Sequence, residues 1–246
     1  MVAPSHEAGH EQAASRRVVV VGSINRDLVI HVGAHPRPGE TVSGSDLREF
    51  PGGKGGNQAV AARRAGAETL LIGATGRDGF GTAMRAFYAA EGIDLAYVAT
   101  FDHAPTGIAV ILVDRNVENT VTVASGANAA LTPDILADVV FQAGDIVVSQ
   151  FEVPDAVIMA AFEKAKAAGA RTLLNPAPMK TLTPALLTLT DCLVLNETEL
   201  EAASGHPNLT SDTAVEAAAA SLVPVLADGA AVLSLQNGVD TAARAQ

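Results

Sequence analysis

The sequence predicts an α/β protein: a three-layer α/β/α sandwich built on a mostly parallel sheet, with a small second β-sheet laid over it as a lid. Short aliphatic and β-branched runs recur along the chain, and longer segments with helical spacing alternate with them. Two further stretches show strand-like alternation with no helical period. Strands alternating with helices imply right-handed crossovers and a parallel sheet covered on both faces.

The first seventeen residues, "MVAPSHEAGHEQAASRR", are acidic and histidine-containing with no apolar core, so they are expected to be a flexible tail and not a signal peptide. "HEAGH", His6 to His10, matches the H-E-x-x-H zinc-protease pattern, but no apolar periodicity surrounds it and it is expected to be a chance match. "RVVVVGSIN" (17–25) reads as a buried strand closed by a Gly-Ser turn. Similar runs follow at 69–75, 145–150, 171–176, 191–196 and 230–235. Helical spacing covers 56–66, 79–92, 154–169 and 211–229, and Gly66, Gly92, Gly169 and Gly229 stand where C-caps are expected. The lid is expected from about 28–50 and 106–126, around the turn signals Pro36-Arg37-Pro38-Gly39 and Asp114-Arg115-Asn116.

Composition narrows the function. The chain has 246 residues, 48% hydrophobic but only 4% aromatic, enough for a full aliphatic core in one large α/β domain or two small ones. Its 27 acidic and 16 basic residues give a net charge of −11 with no long basic cluster, which argues against nucleic acid and anionic membranes as partners. One cysteine, Cys192, excludes an internal disulfide framework and fits a reducing cytoplasm. No apolar run approaches the length of a membrane span.

Ligands of such folds gather at the carboxyl ends of the strands, which singles out 23–27, 149–152, Asn175 and Asn196. The loop "PGGKGGNQAVAA" (51–62) is rich in glycine and holds a lysine, yet Lys54 is followed by Gly55, so it is not a phosphate loop of the G-x-x-x-x-G-K-[ST] type. It offers close backbone approach, one cation and the carboxamide of Asn57, which opens the following helix. With Asp27 and Glu152, it suits a small polyhydroxylated ligand whose vicinal hydroxyls pair with carboxylates and amides. Each residue alone could equally be a cap or turn residue. In "NETELEAASG" (196–205), Asn196 and Glu199 fit a helix capping box, and an acidic residue there could also hold magnesium through water.

In order, "GSINRDLVI", "RPGETVSGSDLREFPGGKGGNQAVAARRAGAE", "TGIAVILVDRNVENTVTVASGANAALTP", "SQFEVP", "LNPAPMKTL" and "LVLNETELEAASG" resemble the ribokinase branch of the ribokinase-like (PfkB) carbohydrate kinases. The likeness runs from residue 18 to about 235, making 18–246 an incomplete ribokinase-like α/β domain after the 1–17 tail. It implies ATP-dependent phosphorylation of ribose at its 5-hydroxyl, a sheet of nine or so strands, magnesium with a monovalent cation such as potassium, and a β lid that pairs with its partner's in a homodimer. It further implies Asn25 and Asp27 as sugar ligands, with Gly52, Gly53, Lys54 and Asn57 on the sugar's other side and Glu152 as the remaining sugar-side carboxylate. Asn196 would contact the nucleotide and Glu199 would position magnesium. Gly56 stands where alanine is more usual, a change expected to matter little.

The likeness fails at "LSLQNGVDTAARAQ". There the family has a nucleotide-contacting TLG-x-x-G turn and later a D-T-x-G-A-G-D segment with the general base and anion hole. Ser234 can replace the turn's threonine, Gln236 occupies its glycine position, and Asp240-Thr241 is expected to be a chance echo of the later segment. The sequence is therefore expected to be a truncated or frameshifted reading frame, or a fragment, with impaired activity and no catalytic base of its own. The alternatives are a non-catalytic sugar-binding pseudokinase, or a piece of a related fructokinase or nucleoside kinase.

Overall fold

The structure, a computed structural model, describes residues 17–209 and 211–235. "HEAGH", Gln236 and Asp240-Thr241 lie outside the described residues. The main sheet is built from β1 (Arg17–Val21), β4 (Glu68–Gly76), β5 (Asp94–Phe101), β8 (Ile146–Gln150), β9 (Arg171–Asn175), β10 (Cys192–Asn196) and β11 (Ala231–Leu235). Among the described residues these form a seven-stranded sheet in the order β11-β10-β9-β8-β1-β4-β5, parallel throughout. β1 is an interior strand beside the central β8, and its alternation feeds both faces. Val19 and Val21 join one hydrophobic cluster and Val20 the other.

Helices α1 (Lys54–Arg64) and α2 (Gly79–Ala90) cover one face through Ala59, Met84 and Tyr88. On the other face, α3 (Asp155–Ala167), α5 (Glu197–Ser204) and α6 (Asp212–Leu222) contribute Phe162, Leu200 and Ala218, and the short α4 (Pro184–Leu187) adds Leu186 and Leu187. Side chains start most of these helices: Asp78 accepts from the Gly81 N–H, Thr183 from Leu186 and Ser211 from Ala214.

A second sheet has the order β3-β2-β6-β7, from β2 (Asn25–His31), β3 (Arg48–Gly52), β6 (Gly107–Val113) and β7 (Asn119–Ala124). β2 and β6 run parallel, while β3 and β7 are antiparallel to their neighbours. A small second sheet stands where one is expected, but its strands reach further in, beginning at Asn25 and ending at Gly52. Asn25 and Asp27 thus ride on the lid itself.

Three expectations need correction. Helix α1 begins at Lys54, two residues before the expected start at 56. The helix expected over 211–229 stops at Leu222; Pro224 ends it in a 3-10 turn (Val223–Val225), and Gly229 serves a later turn at φ 73° instead of a C-cap. Strand β5 has no counterpart among the strands the sequence predicts. Its Asp94, Tyr97 and Thr100 interrupt the apolar run, and as an edge strand it is largely half-buried.

Candidate functional site

The loop between β3 and α1 lies flat on the turn that follows β1, and its glycines are what permit this. Gly53, the N-cap of α1, has φ 84°, and a Cβ there would lie 2.8 Å from the Asn25 nitrogen. A Cβ on Gly55 would come within 2.5 Å of the Gly22 carbonyl carbon, and one on Gly52 would meet the Asp27 carboxylate at 2.1 Å. Asp27 therefore sits directly against the loop backbone, half buried.

Glu152 is the clasp. Its Oε2 accepts from the Ser23 hydroxyl at 2.5 Å and from the Lys54 N–H at 3.0 Å, while the Gly55 N–H donates to the Ser23 oxygen at 3.3 Å. A carboxylate here meets unpaired N–H groups and the positive end of α1, which is why a helix can start on Lys-Gly-Gly. Glu152 thus holds the loop with one oxygen. Burial first, and the charge of Glu152 second, push the Asp27 carboxyl above its ordinary value.

Asn25 is buried, and its Oδ1 accepts from Asn128 Nδ2 at 2.8 Å. Asn128 also accepts from the Ile24 N–H at 2.9 Å and donates to the Ile24 carbonyl at 3.1 Å. Sequence reasoning missed Asn128, which lies in the quoted "SGANAALTP" but carries no local signal because its partners are 104 positions away. Lys54 opens α1, and its Nζ makes no ion pair among the described residues. Asn57 does not cap α1: Gly53 does, and Asn57 is exposed one turn in, its N–H donating to the Gly53 carbonyl at 2.9 Å. A cavity of about 300 Å³ opens beside this wall, lined by Asn25, Ser125, Asn128, Phe151, Glu152 and Pro178. A larger one, about 710 Å³ and walled by Phe80, Ala83, Ile108 and Ala124, holds none of the expected site residues.

From this wall a chain of amides runs across the sheet. Gln150, fully buried, donates to Gln58 Oε1 at 2.6 Å; Gln58 donates to Asn175 Oδ1 at 3.4 Å; Asn175 donates to the Val194 carbonyl at 3.0 Å. Two residues on, Asn196 and Glu199 form a reciprocal capping box: the Glu199 N–H donates to Asn196 Oδ1 at 2.8 Å and the Asn196 N–H to Glu199 Oε2 at 3.0 Å. Among the described residues, one carboxylate oxygen of Glu199 and the amide nitrogen of Asn196 are left for other partners. Ser234 lies inside β11 opposite Leu195, not in a turn, and its buried hydroxyl finds no partner among the described residues. β1 and β10 are three strands apart, roughly 14 Å at the usual strand spacing. Among the described residues no three His, Cys, Asp or Glu side chains converge as a metal cage. The lone carboxylate of Glu199 fits an ion held mostly by water and phosphate oxygens.

A family model described as pfkB family carbohydrate kinase matches residues 15–242. The chain is similar to a ribokinase from Haemophilus influenzae, 38% identical over 205 residues, covering 82% of this chain and 67% of that protein. It is also similar to a ribokinase from Staphylococcus aureus, 42% identical over 195 residues, covering 78% of this chain and 64% of that one. The chain thus spans about two thirds of the length of these relatives. Among solved structures, the Arabidopsis thaliana ribokinase complexed with ribose and ATP aligns with a TM-score of 0.78 and 28% identity, over 90% of this chain and 72% of that one.

Proposed function

The chain belongs to the pfkB family of carbohydrate kinases, and from that premise we propose that it carries the acceptor half of an ATP-dependent kinase that converts D-ribose to ribose 5-phosphate. The observation that carries this reading is the wall in which Asp27 lies against Gly52, Asn25 is locked by Asn128, and Glu152 clasps the first turn of α1. Asp27 and Asn25 present a carboxylate and an amide to vicinal hydroxyls, and Lys54 adds a cation at the rim. Glu152 acts on the sugar side mainly through the loop it holds. Phosphoryl transfer is chiefly positioning and charge stabilisation, so a fixed acceptor hydroxyl is the main thing these residues supply.

The donor would lie along the strand ends toward β10, with Asn196 facing the nucleotide and the free oxygen of Glu199 holding magnesium through water. Magnesium, when bound, offsets charge on the phosphate oxygens. Potassium is assigned by the family likeness alone. The lid also suits a second copy of the chain: in strand register Phe50 pairs with Asp27, and Val123 and Val121 with Ala109 and Ile111, all on one face. Phe50, Val121 and Val123 are exposed, which supports a lid-to-lid homodimer. A reducing cytoplasm, with ATP at hand and Cys192 as a free thiol, is the compartment we assign.

Calorimetry tests the reading. Ribose is expected to bind the chain, fructose and adenosine less well, and Asp27→Ala to weaken ribose by more than about tenfold, the loss of a charge-assisted hydrogen bond. No ribose binding, or binding indifferent to Asp27→Ala, overturns it. The 246-residue polypeptide assayed alone is expected to bind without turnover, because residues 1–246 include no D-T-x-G-A-G-D segment. Ribose-dependent ADP formation by that polypeptide would overturn this second expectation.

A further inference from the structure

Tyr88 is buried in α2, and its polar end points at the acceptor loop. Its hydroxyl donates to the Gly52 carbonyl at 3.2 Å, beneath the backbone on which the Asp27 carboxylate rests. Its ring packs in the cluster with Ala59, Met84 and Leu71 and meets Phe87 edge-on, at 5.3 Å and 68°. That packing leaves the phenol no room to swing. A Cβ on residue 56 would lie 1.9 Å from the Tyr88 hydroxyl and 2.7 Å from the ring carbon that bears it. Gly56, which looked inconsequential in the sequence, is therefore the space the phenol occupies.

We propose that Tyr88 and Gly56 form a size-matched pair in which Tyr88 is a positioning residue, holding the Gly52–Gly53 peptide and through it Asp27 and the start of α1 in sugar-binding geometry. The proposal rests on the sugar-site reading only for its effect on affinity. A buried phenol needs a partner, and among the described residues the Gly52 carbonyl is the one it has. Burial first, and the Asp27 charge second, raise its pKa well above the usual tyrosine value, so it stays a neutral donor over the working pH range.

Tyr88→Phe keeps the ring and removes only the hydroxyl. Hydrogen exchange over residues 52–57 is expected to quicken about fivefold, the cost of one hydrogen bond, with β1 unchanged. Ribose affinity is expected to fall by a similar factor and nucleotide affinity to hold. Gly56→Ala should lower the melting temperature by several degrees, because the methyl overlaps the phenol. Gly56→Ala/Tyr88→Leu should recover most of that loss while ribose stays weakly bound. Unchanged exchange at 52–57 in Tyr88→Phe, or a Gly56→Ala chain that melts like the parent, overturns the proposal. Exchange and melting require no ligand. A parent chain that ignores ribose therefore refutes the sugar reading, and these two readouts still decide on the pair.

Discussion

The carboxylate of Asp27 sits against the Cα of Gly52, half buried, with the charge of Glu152 close enough to oppose its own. Burial and then Glu152 raise its pKa above the ordinary 3.8, so the folded chain binds this proton more tightly than the unfolded chain does. The contribution of Asp27 to stability is accordingly full below the unfolded pKa and is lost as pH rises through the folded one. At neutral pH the ionised group opposes folding. Asp27→Asn is expected to raise the melting temperature at pH 7, by less than the roughly 2–4 °C that 1 kcal/mol brings at this size, and to weaken ribose binding. Melts of the two chains at pH 7 and in acid check this, since the advantage should vanish once Asp27 is protonated. The proposed sugar-binding carboxylate is then a point where recognition and stability conflict. The sequence singles out this carboxylate as one that follows the end of the first strand; its place inside β2 and its seat on a glycine were not legible there.

Strands β2 and β6 leave the main body through two polar knots. In one, Asp78 accepts from the Thr106 N–H at 2.8 Å and the Thr106 hydroxyl at 2.7 Å, while the Gly76 N–H donates to Thr106. In the other, Asn128 satisfies both backbone groups of Ile24 and the side chain of Asn25. Asn128→Ala strands two buried backbone groups, each worth about 1–3 kcal/mol if left unpaired. Urea denaturation should show a loss in that range or above, with weaker ribose binding because Asn25 is released; a loss under about 0.5 kcal/mol would mean the knot is dispensable. These knots mark the boundary of what the sequence displayed. Periodicity exposed β1, β8, β10, α2 and α3 because each repeats one pattern over its own length. The start of α1 stayed hidden because Lys54, Gly55 and Gly56 are an unpromising first turn. What starts it is a carboxylate 98 positions later in the chain. Asn128 and Tyr88 escaped for the same reason: each acts on a segment that only folding brings near.

At the scale of the whole molecule, the two sheets differ in how firmly they are held. β1 is fully buried at Val19, Val20 and Val21 and is paired on both edges, whereas all six residues of β7 are exposed. Local opening draws on buried apolar contacts, so the lid should open at far lower cost than the central strands. The site straddles this boundary, since Asn25 and Asp27 ride on the lid while Glu152 follows β8 of the main sheet. A sugar bound between them would tie the second sheet to the main one. Amides of β3 and β7 are therefore expected to exchange well before those of β1 and β8 in the free chain. Saturating ribose should slow exchange selectively over residues 25–31 and 48–57. If ribose binds and that selective protection does not appear, the sheet over the strand ends is not a lid in the functional sense, and the acceptor wall closes on its ligand by some other movement.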